Sequence, residues 1–132
     1  MERIFAVDMN KGLISIGTNE NREANLAHCK ELLNMAFSDI TYSDISVTAP
    51  YGATYINDFL NQLAVIYTNK SKEDITQLLK SFEKEMGRTM EDKKNGVVKI
   101  DIDLVCWNKE ILKPEDMKRS YIADLLPSIK EN

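Results

Sequence analysis

The sequence predicts an α+β fold in which an antiparallel sheet carries two helices on one face. Three observations predict it. Short runs of alternating or continuous apolar residues recur along the chain. Two longer stretches change to a repeat of three and four. The two kinds of segment follow one another as β-α-β-β-α-β. That order is the ferredoxin-like one, and an extra N-terminal strand and a short C-terminal helix are expected around it. The 132 residues suit a single domain, 1–132, with its own core.

Each element has its own signal. "RIFAVD" (3–8) alternates and is expected to form the extra strand, with "MNKG" (9–12) as a turn. "LISIGT" (13–18) is the next apolar run. From Arg22 to Phe37 the period changes: Leu26, Cys29, Leu32, Leu33, Ala36 and Phe37 recur at three and four, as on one face of a helix. "DITYSDISVTAP" (39–50) is β-rich and ends at Pro50. "YGATYIND" (51–58) reads as a loop. "FLNQLAVIYT" (59–68) has little polar content and belongs at the centre of a sheet. Ser71 caps the second helix, with Glu73 and Asp74 in the first turn, where the helix dipole favours negative charge. Ile75, Leu78, Leu79, Phe82 and Met86 form its apolar stripe, and Gly87 ends it. "RTMEDKKNG" (88–96) reads as a polar loop and "VVKIDIDLVCW" (97–107) as a strand. "EIL" (110–112) is a further short strand, and a short helix follows Pro114 and ends before Pro127. Two helices on one face leave the other face of the sheet open to a cleft.

Composition narrows the function classes. Hydrophobic residues make up 43% and charged residues 29%, as in soluble globular proteins. Seventeen Lys+Arg against twenty-one Asp+Glu give a net charge of −4, which argues against a nucleic-acid partner. Any polyphosphate ligand then needs cations gathered at its site. Cys29 and Cys106 each lie in an apolar pattern and read as free thiols of a reducing cytosol. The single histidine, His28, sits in a helical pattern without a motif, which excludes zinc sites of the Cys/His kind. No apolar run reaches the length of about 18 residues that a membrane span needs, and "MERIFAVDMNKG" has no signal-peptide core. A cytoplasmic protein with no membrane partner is expected.

Chemistry concentrates in a few places. In "KIDIDLVCW" (99–107), Ile100, Ile102 and Leu104 alternate with Asp101, Asp103 and Val105. Aspartate is depleted in strands, yet two here share a face with Cα atoms roughly 7 Å apart. Two carboxylates on a rigid strand can bind Mg2+; two surface aspartates on a solvated face are the commoner reading of that spacing. Glu83 falls on the polar side of the second helix and reads as a surface glutamate. Lys84, Arg88, Lys93, Lys94 and Lys99 surround the loop before the aspartates and suit phosphates, although Glu91 and Asp92 dilute them. "GTN" (17–19) precedes the first helix, as an anion-binding turn or a plain one. Phe59 and Asn61 share a face, and an aromatic with an amide suits a flat heterocycle as well as it suits core packing.

Taken in order, "IGTN", "VTAPYG" with "NDFLNQLAVIYT", "FEKEMGR" and "KIDIDLVCWNKEI" resemble the 6-hydroxymethyl-7,8-dihydropterin pyrophosphokinase family of folate biosynthesis, from about Leu13 to Ile129. The family moves a diphosphate from ATP to the hydroxymethyl group of a reduced pterin. The resemblance implies a Mg2+-dependent transferase whose small-molecule partners are a pterin and ATP. It implies that Asp101 and Asp103 hold two Mg2+ ions and that Asn61 hydrogen-bonds the pterin ring. Phe59 and Tyr121 then sandwich that ring, and Thr48 contacts it through its backbone. Glu83, Lys99 and Arg119 fall on the nucleotide side, and Arg88 matches the first arginine of a mobile catalytic loop. The sequence departs from the family at four places. Met90 replaces a second arginine, Asn95 a tryptophan, and Val97-Val98 a Pro-Arg pair. Only "KPEDMK" (113–118) stands where the family has an ATP-gripping "R-x-T-x-P-H" segment. Lys93, Lys94, Lys99 and Arg119 are the cations left to compensate. The resemblance therefore allows three functions: an active pyrophosphokinase, a relative that binds a pterin or similar heterocycle without transfer, or a relative retuned to another nucleotide or another acceptor.

Overall fold

The computed structural model of the chain describes residues 9–50, 55 and 57–131. The expected strand "RIFAVD" and five residues of the "YGATYIND" loop lie outside the described residues. The elements run β1 (Asn10–Thr18), α1 (Arg22–Ala36), β2 (Ile40–Thr48), β3 (Phe59–Thr68), α2 (Lys72–Glu85), α3 (Met90–Lys94), β4 (Asp101–Trp107), β5 (Glu110–Ile111), α4 (Pro114–Met117) and α5 (Ser120–Leu125), followed by one 3-10 turn (Leu126–Ser128). All strand pairs are antiparallel, in the order β2-β3-β1-β4-β5. The fold is α+β with the ferredoxin-like order.

Alternation sorts the sheet's side chains onto two faces. Ile14 and Ile16 of β1, Ile66 of β3 and Ile102 of β4 pack against Leu26, Cys29 and Leu33 of α1 and against Ile75 and Leu79 of α2. Burying each such Leu or Ile contributes about 1.5–3 kcal/mol. On the opposite face, Leu13, Leu63 and Val65 meet Tyr121, Ile122 and Leu125 of α5. That short helix covers one part of the second face and leaves a cleft beside it. At the start of α2 the Ser71 hydroxyl accepts a hydrogen bond from Asp74 N at 3.1 Å, and Gly87 takes φ +89 after its end.

The structure corrects five expectations. "MNKG" is not a turn: β1 begins at Asn10, and Lys11 and Gly12 pair with Tyr67 and Ile66. A Cβ on Gly12 would stand 3.1 Å from both Ile66 Cγ1 and Leu104 Cδ1, so here glycine serves close packing. "RTMEDKKNG" contains α3, capped by the Thr89 hydroxyl, which accepts from Asp92 N at 3.0 Å. β4 begins at Asp101 rather than at 97. Residues before it are held by β1's continuation instead: Val98 N donates to Asn19 Oδ1 at 2.7 Å and Asn19 N to Val98 O at 3.0 Å. Val105 does not extend the aspartate row. Leu13 pairs with Cys106 and Ile14 with Leu104, so Val105 is the extra residue of a β-bulge. Beyond it the faces exchange: Trp107 joins the helix-side core and Cys106 packs on the other. The terminal "EIL" strand is reduced to Glu110–Ile111. Among the described residues no helix is long and apolar enough to cross a membrane.

Candidate functional site

A cleft of about 200 Å³ opens beside α5 on the face away from α1 and α2. Strand register builds its floor. Gly17 pairs with Asn61 on one side and Asp101 on the other; Ser15 pairs with Leu63 and Asp103. Side chains in register on neighbouring strands share a face, so Asn61, Asp101 and Asp103 look into the same space. A Cβ on Gly17 would stand 3.5 Å from Asn61 Oδ1 and 3.7 Å from Phe59 Cδ1, into the gap between these groups. Glycine keeps the middle of the floor clear.

Aromatic side chains form the walls. Phe59 meets Tyr55 edge-to-face, with ring centroids 5.2 Å apart. Tyr121 enters from α5, with its hydroxyl 3.1 Å from Ser15 Oγ. Burial pushes the Tyr121 phenol pKa up, while the Ser15 bond opposes the shift. Asn61 Nδ2 donates to Thr48 Oγ1 at 2.7 Å, which fixes the amide plane. Thr48, Phe59, Asn61, Asp101, Asp103, Arg119 and Tyr121 all line this one cleft. Glu83, Arg88 and Lys99 are not among the lining residues.

Glu83 is the main correction at the site. It is not a surface glutamate; it is 5% exposed. Its Oε2 accepts from Ile102 N at 2.7 Å and from Arg88 Nη1 at 2.8 Å. Arg88 Nη1 also donates to Asp101 Oδ1 at 2.8 Å. The signal was present in the sequence: Ile75, Leu79 and Glu83 step by four, so Glu83 continues the buried stripe. Glu83, Asp101 and Asp103 each offer a carboxylate oxygen within 4.8 Å of the others. Such a set of hard oxygen donors fits Mg2+ in its chemistry.

The carboxylates perturb one another. Burial, then the charge of Asp101 and a hydrogen bond shared with it, push Asp103 up to about 7, against the pull of Lys113. Burial also pushes Glu83 up, opposed by the Ile102 N–H and by Arg88. For Arg88, burial alone would lower the pKa, but Asp101 and Glu83 outweigh it and the pKa rises.

The expected cations are dispersed. Lys99 Nζ lies 3.2 Å from Asp92 Oδ2 and donates to Gly87 O at 3.3 Å. Lys93 and Lys94 close α3. Arg119 lines the cleft with its Nε 3.6 Å from Asp116 Oδ1. Lys113, which no sequence pattern singled out, reaches Asp103 Oδ1 at 3.6 Å. Ser15, Tyr55 and Asp116 are lining residues that sequence reading also missed. The "GTN" segment ends β1 and fastens it: Thr18 Oγ1 donates to Lys99 O at 2.6 Å and Asn19 Nδ2 to Gly96 O at 2.8 Å.

The chain matches the family model described as 7,8-dihydro-6-hydroxymethylpterin-pyrophosphokinase (HPPK) over residues 13–131. Among solved structures, the C-terminal domain of the MgtC protein from Mycobacterium tuberculosis is similar at 11% identity and a TM-score of 0.41, covering 80% of this chain and 96% of that one. A likeness that low carries no argument.

Proposed function

The chain belongs to the 7,8-dihydro-6-hydroxymethylpterin-pyrophosphokinase family, whose members serve folate biosynthesis with ATP and Mg2+, and from that premise we propose that it transfers a diphosphate from ATP to the hydroxymethyl group of 6-hydroxymethyl-7,8-dihydropterin. One observation carries this reading: the register across β3, β1 and β4 sets Asn61 and Asp101 on either side of Gly17, so an amide and the carboxylate pair share one floor. The cleft of about 200 Å³ is below the ~300–1,000 Å³ usual for small-molecule sites. It suits a single flat ring system, with the polyphosphate outside it and across the aspartates.

In this reading Phe59 and Tyr121 take the ring faces, Asn61 takes an edge, and Thr48 holds the Asn61 amide in place. Asp101 and Asp103 would hold Mg2+, which would supply charge neutralisation on the transferred group and help to align the hydroxyl for in-line attack. The pterin hydroxyl oxygen bonds to the β-phosphorus of ATP, its proton is lost, and AMP leaves. Arg88 and Arg119 are the guanidinium groups beside the region where the phosphates would lie. The test is AMP release, which should need both Mg2+ and the hydroxymethyl pterin and vanish in Asp101→Ala. AMP no higher than background from the unaltered protein under saturating ATP would sink the proposal.

The charge of the lining favours a second reading, pterin binding without transfer. Asp101, Asp103 and Asp116 line the cleft against one guanidinium, Arg119. Val98, where the family resemblance expects an arginine, is 5% exposed with its backbone bound to Asn19. Calorimetry separates the two readings: heat from the pterin but none from Mg-ATP supports this one, and tight Mg-ATP binding excludes it.

A further inference from the structure

We propose that Glu83 is a positioning residue that keeps Arg88 from competing with the metal for Asp101. The inference rests on the reading that Asp101 and Asp103 hold Mg2+, and it concerns how the metal-binding pair is kept available. Three carboxylates and one guanidinium crowd together at the start of β4. Arg88 Nη1 lies 2.8 Å from Glu83 Oε2 and 2.8 Å from Asp101 Oδ1, so its charge is divided between them. Glu83 is the more deeply buried partner, with its side chain 7% exposed against 40% for Asp101. The same Oε2 accepts the N–H of Ile102, the residue between the two aspartates. One buried oxygen thus ties down both the strand and the arginine.

Two other roles are open to such a group. One is that of a third metal ligand, because its carboxylate lies within 4.8 Å of the other two. Against this, Oε2 already accepts two N–H donors, and the residue is not among those lining the cleft. Alternatively, it could do no more than join α2 to β4. The positioning role differs from both in what happens to Arg88. Replace Glu83 by glutamine and the amide oxygen still accepts from Ile102 N. The guanidinium then has one carboxylate left, and an Arg–carboxylate pair can close bidentately on the oxygens a metal needs.

The experiment titrates the full chain, without nucleotide, with Mn2+ and follows the free-ion electron paramagnetic resonance signal. Glu83→Gln is expected to weaken Mn2+ binding about 10- to 100-fold, as removal of an outer-shell partner does. Adding Arg88→Met removes the competitor and should return the affinity to that of the unaltered protein or better. A double variant as weak as Glu83→Gln would make Glu83 a ligand and overturn the proposal. So would Glu83→Gln binding as tightly as the unaltered protein. If Glu83→Gln does not fold, the comparison of Arg88→Met with the double variant decides. Affinities within about twofold support positioning, and a tenfold or larger drop overturns it. An unaltered protein that takes up no Mn2+ sinks the metal-site reading itself, and this inference with it.

Discussion

Asp103 sits where a charged carboxylate is least comfortable: burial and the neighbouring Asp101 push it from 3.8 up to about 7. In the metal-free protein the folded state therefore holds a proton that the unfolded chain gives up between those values. The stability contributed by this group is complete below about 3.8 and is lost as the pH rises through about 7. Glu83, also raised by burial, adds in the same direction. Melting temperatures in chelator should fall between roughly pH 4 and 7 by more in the unaltered protein than in Asp103→Asn. Equal slopes in the two proteins would contradict the assignment. Each pKa unit removed is worth about 1.4 kcal/mol. Saturating Mg2+ should flatten the slope, since the ion favours the ionised pair. Tyr121 gives a second expectation at this scale. Tyr121→Phe keeps the ring face but loses the bond to Ser15, a loss of about 0.5–1.5 kcal/mol. Its pterin affinity should fall by no more than about tenfold, and Tyr121→Ala should lose more, both read by calorimetry.

At the scale of elements, what the sequence disclosed was local and what it hid was tertiary. The stripe of α2, its Ser71 cap and the Gly87 stop are all encoded within a few residues, and each is where the spacing put it. Gly87 supplies a direct check. At φ +89 a Cβ meets nothing closer than Lys99 Nζ at 3.7 Å, so space is not the obstacle. Gly87→Ala should still cost about 1–2 kcal/mol, the penalty for a side chain in the left-handed region, measured by urea denaturation. The bulge at Val105 was illegible because nothing in "DLVCW" states which residue β1 will skip. α3 was hidden by its polarity, since a short helix with no buried residue has no apolar period to read. Glu83 was misread because a charge on a buried stripe makes sense only when its partners, Ile102 N and Arg88, are brought up from elsewhere. The cleft's composition was half legible for the same reason: the Phe59/Asn61 and Asp101/Asp103 pairs follow from alternation, whereas Ser15 and Asp116, and the Lys113 that pairs with Asp103, come in only through pairing and loop path.

Taken as a whole, the molecule has a sheet with different tasks on its two sides. One face carries the core shared with α1 and α2, which includes Leu33 at 0% exposure. The other carries a smaller core in which Ile122, at 1% exposure, packs with Leu13, Leu63 and Val65. Among the described residues the second core adjoins the cleft, since Tyr121 of α5 belongs to that core and also lines the cleft. Truncating either residue to alanine should therefore cost about 2–5 kcal/mol of global stability. The consequences for binding should diverge. Ile122→Ala leaves a void under α5, and the Tyr121 wall loses its backing, so pterin affinity should drop even where the variant is fully folded. Leu33→Ala lies across the sheet from the cleft, and its affinity should match that of the unaltered protein at the same temperature. Urea melts establish the two stabilities and calorimetry the two affinities. Equal loss of affinity in both variants would mean that the sheet transmits packing defects from one face to the other, and that the site has no separate support.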